Sequence, residues 1–321
     1  MNVVDTINKA VNDRTTRFAF ELLPPLKGDG TESIFRAIDN VMEFDPAYVN
    51  ITCHRESLKQ TLRPDGRTEW HTVRRRPGTV GIAAAIQKRY GIDAVPHIIC
   101  GGQSVYDIED ALIDMDFLGL HNVLALRGDC SSNEKVFMPH PQGHSHAAEL
   151  VRQISAMNRG EFVDGEVDEC HHSRFSIGVA GYPEVHFEAA GSEEDIRLLK
   201  EKVDAGADYV VTQMFFDNTK YFDFVERCRR AGIDVPVIPG LKPLVNARQL
   251  DSLPNTFSIS MPEELRKEIE KCGEDRKKIR RTGLEWTIRQ TLELKEAGVP
   301  VVHFYTMSKT ENIAAIAREV F

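Results

Sequence analysis

Residues 193–239 read EEDIRLLKEKVDAGADYVVTQMFFDNTKYFDFVERCRRAGIDVPVIP, and this stretch decides the fold. It holds two amphipathic helical patterns, each ending before a glycine and each followed within a few residues by a short β-branched or aromatic run. The helical patterns are Glu193–Ala205 and Tyr221–Ala231, and the strand patterns are Asp208–Gln213 and Val235–Pro239. Strands that return after a helical crossover are parallel, so the stretch predicts βαβ units.

The same alternation continues over nearly the whole chain. The other predicted strands are Arg17–Leu22, Ala47–Thr52, Ala94–Ile99, Asn122–Leu126, Arg174–Ala180 and Pro300–Tyr305. The other predicted helices are Ser33–Phe44, Thr79–Tyr90, Val105–Phe117, His146–Asn158 and Leu284–Ala297. Eight parallel strands in 321 residues favour an α/β fold, a closed (βα)8 or TIM barrel in which residues 1–321 form one domain.

Three segments interrupt the alternation. Gln60–Gly78 and Cys130–His172 are predicted as extended loops after the second and fourth strands, and Leu253–Glu263 is predicted to be irregular. Gln60–Gly78 carries five arginines, which suit either a solvated surface or a lid that contacts an anionic ligand. Long loops at the carboxyl ends of barrel strands are typical of the face where active sites are built.

Composition excludes several classes of function. The net charge of −9 argues against nucleic acid or an anionic membrane as the main partner, and no apolar run approaches membrane-spanning length. The start of the chain lacks the features of a signal peptide, and the six cysteines stand singly, so we expect a cytoplasmic protein. No strong metal motif, Rossmann glycine pattern, Walker loop or serine nucleophile elbow is present.

Polar side chains recur where predicted strands end. They include Glu21, Thr52, His97, Arg127, Asp129, Tyr182, His186, Gln213, His303 and Tyr305. Taken singly, nearly every one of them is better explained by a structural role. Because the carboxyl ends of parallel barrel strands meet on one face, the set as a whole predicts an active site there.

Glu21 and Asp129 form a candidate acid–base pair. A carboxylate within an apolar strand is costly unless it is paired or used, and Glu21 lies in such a strand. Asp129 follows Arg127 and Gly128 in a polar turn and is expected to stay ionised. This difference in surroundings assigns proton donation to Glu21 and a fixed negative charge to Asp129.

Seven motifs, in order, give the chain a family resemblance. They are Phe20-Glu21-x-x-Pro24-Pro25, Leu126–Asp129, Gly181–His186, Lys202–Asp208, Thr212–Asp217, Ile238–Gly240 and Phe304–Thr306. Together they resemble the methylenetetrahydrofolate reductase family, in its short bacterial form with the catalytic domain only. Each motif alone is weak, but the ordered set at strand positions is specific and covers nearly the whole chain.

The resemblance implies a barrel that binds FAD without covalent attachment and without a Rossmann fold. It implies ping-pong reduction of 5,10-methylenetetrahydrofolate to 5-methyltetrahydrofolate by NADH or NADPH, a step that feeds methionine synthesis. Glu21 matches the general acid, and Asp129 matches a carboxylate near both flavin and pterin. A homo-oligomer is expected, and inhibition by S-adenosylmethionine is not.

The resemblance also assigns binding residues. Those that match cofactor-contacting positions are Thr52, His97, Arg127, Gly128, Asp129, Tyr182, His186, Ala189, Asp195 and Lys202. Those that match folate-contacting positions are Glu21, Asp129, Gln213, Gln249, Leu253 and Lys309. Two of these depart from the family pattern, since Leu253 replaces an aromatic residue and Lys309 replaces an arginine.

Two alternatives remain open at this stage. One is a barrel methyltransferase or aldolase that binds a pterin or activates a carbonyl without a flavin. The other is a barrel that binds flavin but has no catalytic function. The choice between NADH and NADPH is also open, because no ribose-contacting residue can be placed.

Overall fold

The computed structural model describes residues 2–130, 136–167, 171–306 and 308–321. Its strands are β1 (Arg17–Leu22), β2 (Val49–Ile51), β3 (Ser57–Leu62), β4 (Thr68–Val73), β5 (Ala94–Ile99), β6 (Asn122–Leu126), β7 (Glu161–Phe162), β8 (Gly165–Glu166), β9 (Ser176–Gly181), β10 (Tyr209–Met214), β11 (Val237–Leu241) and β12 (Val301–Tyr305). Eight of them close into a parallel barrel in the order β1-β2-β5-β6-β9-β10-β11-β12. The predicted (βα)8 barrel is confirmed, with every barrel strand within two residues of its predicted bounds.

Helices follow the barrel strands in the expected alternation. They are α1 (Val3–Asp13), α2 (Glu32–Met42), α3 (Thr79–Tyr90), α4 (Val105–Phe117), α5 (Ala147–Met157), α6 (Ser192–Asp204), α7 (Asn218–Arg230), α8 (Gln249–Phe257), α9 (Glu263–Glu270), α10 (Arg276–Glu296) and α11 (Glu311–Val320). Their ends follow local chemistry: Ser104 and Asp107 form a capping box on α4, and Gly91 adopts a left-handed conformation after α3. Within the described residues, no helix is both long and apolar enough to cross a membrane.

The barrel has an apolar interior of its own, separate from the larger core between strands and helices. Ala19, Tyr48, Leu124 and Tyr209 are among the buried side chains that fill it. Helix α1 contributes Val3 and Ile7 to the same cluster, so it covers the amino-terminal end of the barrel. The other end, where the strands finish, is therefore the face available for a site.

The arginine-rich segment after β2 is not an irregular loop. Strands β3 and β4 pair antiparallel from Ser57 with Val73 to Leu62 with Thr68. Gly66 makes the turn at a φ of +80°, and its N–H donates to the Arg63 carbonyl at 2.9 Å. Pro64-Asp65-Gly66 supplies turn-forming residues between runs of strand-forming ones, which accounts for the hairpin.

Two other predictions need correction. Leu253–Glu263 is not wholly irregular, because α8 extends to Phe257 despite Pro254 and α9 begins at Glu263. Helix α10 begins eight residues before the predicted Leu284, at a cap formed by Asp275. Within 130–172 the structure has the predicted helix and the small β7–β8 hairpin, while residues 131–135 and 168–170 lie outside the described residues.

Candidate active site

Glu21 lies near the carboxyl end of β1, between two polar neighbours. It pairs with Tyr305 of β12 on one side and with Asn50 of β2 on the other. Burial raises the pKa of its carboxyl to about 7, and the positive charge of Lys242 opposes that rise. The hydroxyl of Thr306 donates to the backbone oxygen of Glu21 at 2.5 Å and fixes this strand end. A carboxyl with such a pKa can give or take a proton near neutral pH.

The Tyr305 side chain is held across the strand ends of β10 and β11. Its hydroxyl donates to the backbone oxygen of Thr212 at 2.7 Å, and the N–H of Gly240 donates to the Thr212 hydroxyl at 2.9 Å. A Cβ placed on Gly240 would lie 2.6 Å from the Tyr305 ring, which is too close. Glycine at this position therefore lets the ring lie beside Glu21.

The barrel interior next to Glu21 is polar. His303 pairs with Ala19, one inward position before Glu21, and burial lowers the pKa of both His303 and His97 to about 3. Within the described residues, His97 Nε2, both His303 ring nitrogens and both polar side-chain atoms of Asn50 are buried without a hydrogen-bond partner. Buried polar atoms are almost always paired, so these neutral groups are suited to bind a polar ligand or solvent.

Arg127 and Gly128 form the turn after β6. Arg127 Nη1 lies 2.5 Å from Glu188 Oε2, and the guanidinium carbon lies 5.0 Å from the centre of the Phe137 ring. Gly128 has a φ of +85°, and a Cβ there would lie 3.2 Å from the Cβ of Ile99. The turn thus holds a cation in place, and glycine at position 128 lets the backbone pack against Ile99.

His54 lies beside Thr52 and within electrostatic reach of Asp129. Thr52 Oγ1 lies 3.1 Å from His54 Nε2. Burial and the charge of Arg76 lower the pKa of His54, while the negative charge of Asp129 opposes this. Burial also raises the pKa of Tyr182 to about 12, and the negative charge of Asp129 contributes to that rise. The exposed Asp129 carboxylate is therefore electrostatically coupled to His54 after β2 and to Tyr182 after β9.

A second group of charged residues follows β9. The His186 and Tyr182 rings meet edge-on with centres 4.6 Å apart, and the His186 N–H donates to Asp195 Oδ2 at 2.7 Å. Lys202 Nζ donates to the Ala180 carbonyl at 2.6 Å. Burial lowers the pKa of Lys202 to about 8, against the opposing charge of Asp195. This group places the buried Lys202 ammonium and the Asp195 carboxyl within electrostatic reach of each other, and Lys202 within reach of Arg127.

The ten residues predicted to bind the cofactor share one side of the barrel. They lie on β5, after β2, β6 and β9, or in α6, and these four strands are consecutive neighbours in the barrel. Ala189 sits in the turn after β9, where its N–H donates to the His186 carbonyl at 2.9 Å. The cations Arg127 and Lys202 suit a pyrophosphate, and the unpaired Nε2 of His97 suits the polar edge of a ring. These features fit FAD.

The residues predicted to contact folate differ in their surroundings. Gln213 Oε1 accepts a hydrogen bond from its neighbour's backbone N–H at 2.9 Å. Gln249 Oε1 accepts from the backbone N–H groups of residues 245 and 246 at 2.7 and 3.2 Å, so it fixes the start of α8. Leu253 is buried in an apolar cluster of α8, α9 and α10, whereas Lys309 is exposed after β12. Of the four residues other than Glu21 and Asp129, Gln249 and Leu253 thus have evident structural roles.

Three residues that bear on the site were absent from the sequence prediction: His54, Lys242 and Glu188. His54 stands two residues after Thr52, and Lys242 stands two residues after Gly240. Extending each strand's inward alternation by one position would have found both. Glu188 lies in an irregular turn, where no periodic signal exists.

A closed parallel barrel with titratable side chains at the carboxyl ends of its strands is the architecture of a TIM-barrel enzyme. The sequence profile of the methylenetetrahydrofolate reductase family matches residues 6–320. The chain therefore belongs to the methylenetetrahydrofolate reductase family.

Curated relatives include bacterial and plant proteins. The 5,10-methylenetetrahydrofolate reductase of Pectobacterium carotovorum is 29% identical over 319 residues, covering 98% of this chain and 94% of the relative. That of Escherichia coli is 29% identical, covering 93% and 88%. The probable methylenetetrahydrofolate reductase (NADH) of rice is 28% identical, covering 98% of this chain and 50% of the relative. The chain thus spans about half the length of the plant proteins it matches.

A solved structure shares the fold. It is an uncharacterized protein from Clostridium thermocellum that binds two copies of 5-methyl-5,6,7,8-tetrahydrofolic acid. The TM-score is 0.55 at 14% sequence identity, and the match covers 98% of each chain. At this identity the likeness supports the barrel architecture alone.

Proposed function

We propose that this protein reduces 5,10-methylenetetrahydrofolate to 5-methyltetrahydrofolate with electrons from NADH or NADPH, passed through a non-covalently bound FAD. The observation that carries the proposal is the Glu21 carboxyl, which has a pKa of about 7 at a strand end. Membership of the family supports the reaction, and the polar strand ends around Glu21 support its location.

Bound FAD would lie along the ends of β2, β5, β6 and β9. Arg127, Lys202 and His186 would hold its pyrophosphate, and Thr52 and His97 would contact the flavin ring. The neutral His97 ring has a free Nε2 that is buried and can bond to the ring's polar edge. When bound, the flavin would supply the two-electron redox chemistry that links the nicotinamide to the folate.

Glu21 would supply the proton that the folate reaction needs. Ring opening of methylenetetrahydrofolate makes an amine leaving group and an iminium cation, and protonating the amine nitrogen assists the opening. An ordinary glutamic acid, with a pKa of 4.5, is almost fully ionised at neutral pH. Because burial raises the pKa of Glu21 to about 7, a large fraction stays protonated there.

Asp129 would act through its charge rather than through proton transfer. It is exposed at the turn after β6 and lies within electrostatic reach of His54 and Tyr182. A fixed carboxylate at that position favours a cation that develops on the pterin side of the substrate. Gln213 and Lys309, at the ends of β10 and β12, remain proposed folate contacts, as do Gln249 and Leu253 on α8.

Either nicotinamide is compatible with the family. The maize and Arabidopsis relatives are named for NADH, and the Caenorhabditis elegans relative is named for NADPH. We propose NADH as the physiological donor, following the resemblance to short bacterial members. A cytoplasmic homo-oligomer, with residues 1–321 as one catalytic domain, completes the proposal.

Stopped-flow spectroscopy on the FAD-loaded protein tests the proposal. Flavin absorbance should fall on mixing with NADH and recover on mixing with methylenetetrahydrofolate. In Glu21→Gln we expect reduction by NADH to persist and reoxidation by folate to fall at least about a hundredfold, as typical for loss of a general acid. Glu285→Gln, which removes an exposed carboxylate on α10, should leave both steps unchanged. Equal loss of both steps in Glu21→Gln would contradict the role of Glu21.

The flavin-free methyltransferase or aldolase alternative makes a different prediction. Protein purified and incubated with FAD would then stay colourless after gel filtration. A yellow protein whose flavin is neither reduced by NADH nor, after chemical reduction, reoxidised by folate would instead favour a non-catalytic flavin-binding barrel. Purification with and without added FAD separates the flavin-free alternative from the two flavin-binding cases, and stopped-flow measurements then separate those two.

A further inference from the structure

Lys242 belongs to none of the seven family motifs, but the structure brings it close to Glu21. It follows the last residue of β11, where Gly240 pairs with His303 and Leu241 pairs with Phe304 of β12. Continuing that register by one residue places Lys242 level with Tyr305. Tyr305 in turn pairs with Glu21 of β1. Glu21, Tyr305 and Lys242 therefore stand at one level on three adjacent strands.

The three side chains also share a direction. Ala19, Val301 and Ile238 belong to the cluster inside the barrel, and side chains two residues further along each strand point the same way. Glu21 lies two residues after Ala19, His303 and Tyr305 lie two and four after Val301, and Gly240 and Lys242 lie two and four after Ile238. The Lys242 side chain is thus directed to the same inner face as Glu21.

The separation between Glu21 and Lys242 makes their interaction a longer-range electrostatic one rather than a direct ion pair. Adjacent strands are about 4.8 Å apart, so the β1 and β11 backbones are separated by about 10 Å, which two inward side chains can largely span. Glu21 and Lys242 nonetheless make no ion pair at 4.0 Å or less in the part of the chain that the structure describes. The carboxyl stays available to a substrate while a half-buried ammonium lies nearby.

We propose that Lys242 is a positioning residue for Glu21: its ammonium stabilises the carboxylate that forms when Glu21 gives up its proton. The inference rests on the proposed role of Glu21 as the acid. The proton leaves Glu21 for the folate amine nitrogen, and Lys242 neither gains nor loses one. Its charge makes the donor stronger.

The other groups that face Glu21 do not supply this charge. Tyr305 and His303 of β12 are neutral, since burial raises the pKa of the first and lowers that of the second to about 3. Asn50 of β2 is uncharged. Arg76 donates to the Pro24 carbonyl after β1, and Lys309 after β12 is exposed. Of the charges around Glu21, the one that lowers the pKa of its carboxyl against burial is that of Lys242.

Glu21 and Lys242 each affect the pKa of the other. Burial lowers the pKa of Lys242, Glu21 opposes that change, and the charge of Lys309 lowers the pKa further. A neutral residue at position 242 leaves the effect of burial on Glu21 without its opposing charge. We expect the apparent pKa of Glu21 then to rise by about one pH unit, the size of a Coulomb interaction over several ångströms at a partly buried site.

Difference infrared titration of the carboxyl tests the proposal directly. The protonated-carboxyl band assigned to Glu21 is the one absent from Glu21→Gln. Its titration midpoint should move up by about one pH unit in Lys242→Met and in Lys242→Gln, and return to the native value in Lys242→Arg. Lys278→Met, which removes an exposed lysine on α10, is the matched control and should not shift it.

Kinetics supply the second readout on the FAD-loaded protein. The rate of flavin reoxidation by folate should fall at high pH as Glu21 loses its proton. In Lys242→Met the midpoint of this fall should move to higher pH by the same amount as the infrared titration midpoint. An unchanged infrared midpoint in the folded Lys242 variants overturns the proposal. The infrared titration works on flavin-free protein, so its result stands even where the wild type fails to reduce folate and the proposed function fails. Circular dichroism shows that the variants are folded, and Lys242→Gln serves where Lys242→Met does not fold.

Discussion

Arg127 Nη1 lies 2.5 Å from Glu188 Oε2, and both side chains are about a quarter to a third exposed, at 24% and 31%. His186 Nδ1 lies 4.0 Å from the same carboxylate oxygen. Glu188 therefore places a negative charge inside the group of cations proposed to hold the FAD pyrophosphate. An incoming phosphate has to share or displace this contact.

Replacing Glu188 with glutamine should strengthen FAD binding. The competing carboxylate is lost while the shape of the side chain is kept, so we expect a dissociation constant about three to ten times lower, as for removal of one partly exposed charge. Flavin fluorescence quenching during titration of flavin-free protein measures this, at two salt concentrations. Glu285→Gln, which breaks an exposed ion pair between Glu285 and an arginine on α10, should leave the dissociation constant unchanged. Weaker binding in Glu188→Gln would mean that Glu188 orients Arg127 for the cofactor.

Glu21 should make the flavin-free protein less stable as the pH rises. Its carboxyl has a pKa of about 7 when folded, against 4.5 for the ordinary group, so between these values the folded state holds a proton that the unfolded state has lost. The contribution of Glu21 to the free energy of unfolding is then fully present below pH 4.5 and is lost as the pH rises through 7. We expect Glu21→Gln to gain up to about 3 kcal/mol relative to wild type between pH 4.5 and pH 8. Urea unfolding at both pH values measures the difference, and a constant difference would contradict the raised pKa.

His303 should act in the opposite direction, on the acid side. Its ring is fully buried with a pKa of about 3, so between pH 3 and 6.5 the unfolded state binds the extra proton. The contribution of His303 to the free energy of unfolding is fully present above pH 6.5 and is lost as the pH falls toward 3. The slope is about 1.4 kcal/mol per pH unit for one histidine. We expect His303→Asn to reduce the slope of unfolding free energy between pH 6 and pH 4 by about that amount. The exposed His71→Asn control should leave the slope unchanged.

The sequence predicted the barrel because each strand carries a local signal. Runs such as Ala94–Ile99 are β-branched and end at turn residues, and the structure has this strand with the same bounds. Glu21 was found for a related reason, since a carboxylate within an apolar strand is unusual in itself. Features encoded in strand alternation or in local turns could therefore be predicted.

What the sequence could not give depends on contacts between distant segments. The pairing of Arg127 with Glu188 joins two turns that are sixty-one positions apart, and no local pattern relates them. The burial of Leu253 depends on how α8, α9 and α10 pack together. Lys242 stands before Pro243 in an irregular segment after β11, and only the pairing of the barrel strands shows that it lies level with Glu21.

The hairpin of β3 and β4 allows a last prediction, because its ends are already joined. Ser57 pairs with Val73, so residues 58–72 can be replaced by Asn-Gly without moving either end. The described side chains of the removed segment are largely exposed, with Trp70 at 58%, and none of them belongs to the buried clusters. We expect the melting temperature to stay within about 3 °C of wild type, which corresponds to less than about 1 kcal/mol for a chain of this size.

The same variant separates the two interpretations of the arginine-rich segment. The removed residues carry three cations and two carboxylates, and Arg63 already pairs with Glu69 at 2.6 Å, so the tip has little net charge to offer an anion. A cation that contacts the barrel end lies instead at the base of the hairpin, where the Arg76 guanidinium donates to the Pro24 carbonyl. We therefore expect the KM for NADH in flavin reduction to change less than about twofold, as for loss of exposed charges. A tenfold rise with an unchanged melting temperature would show instead that the tip acts as a lid over the nucleotide.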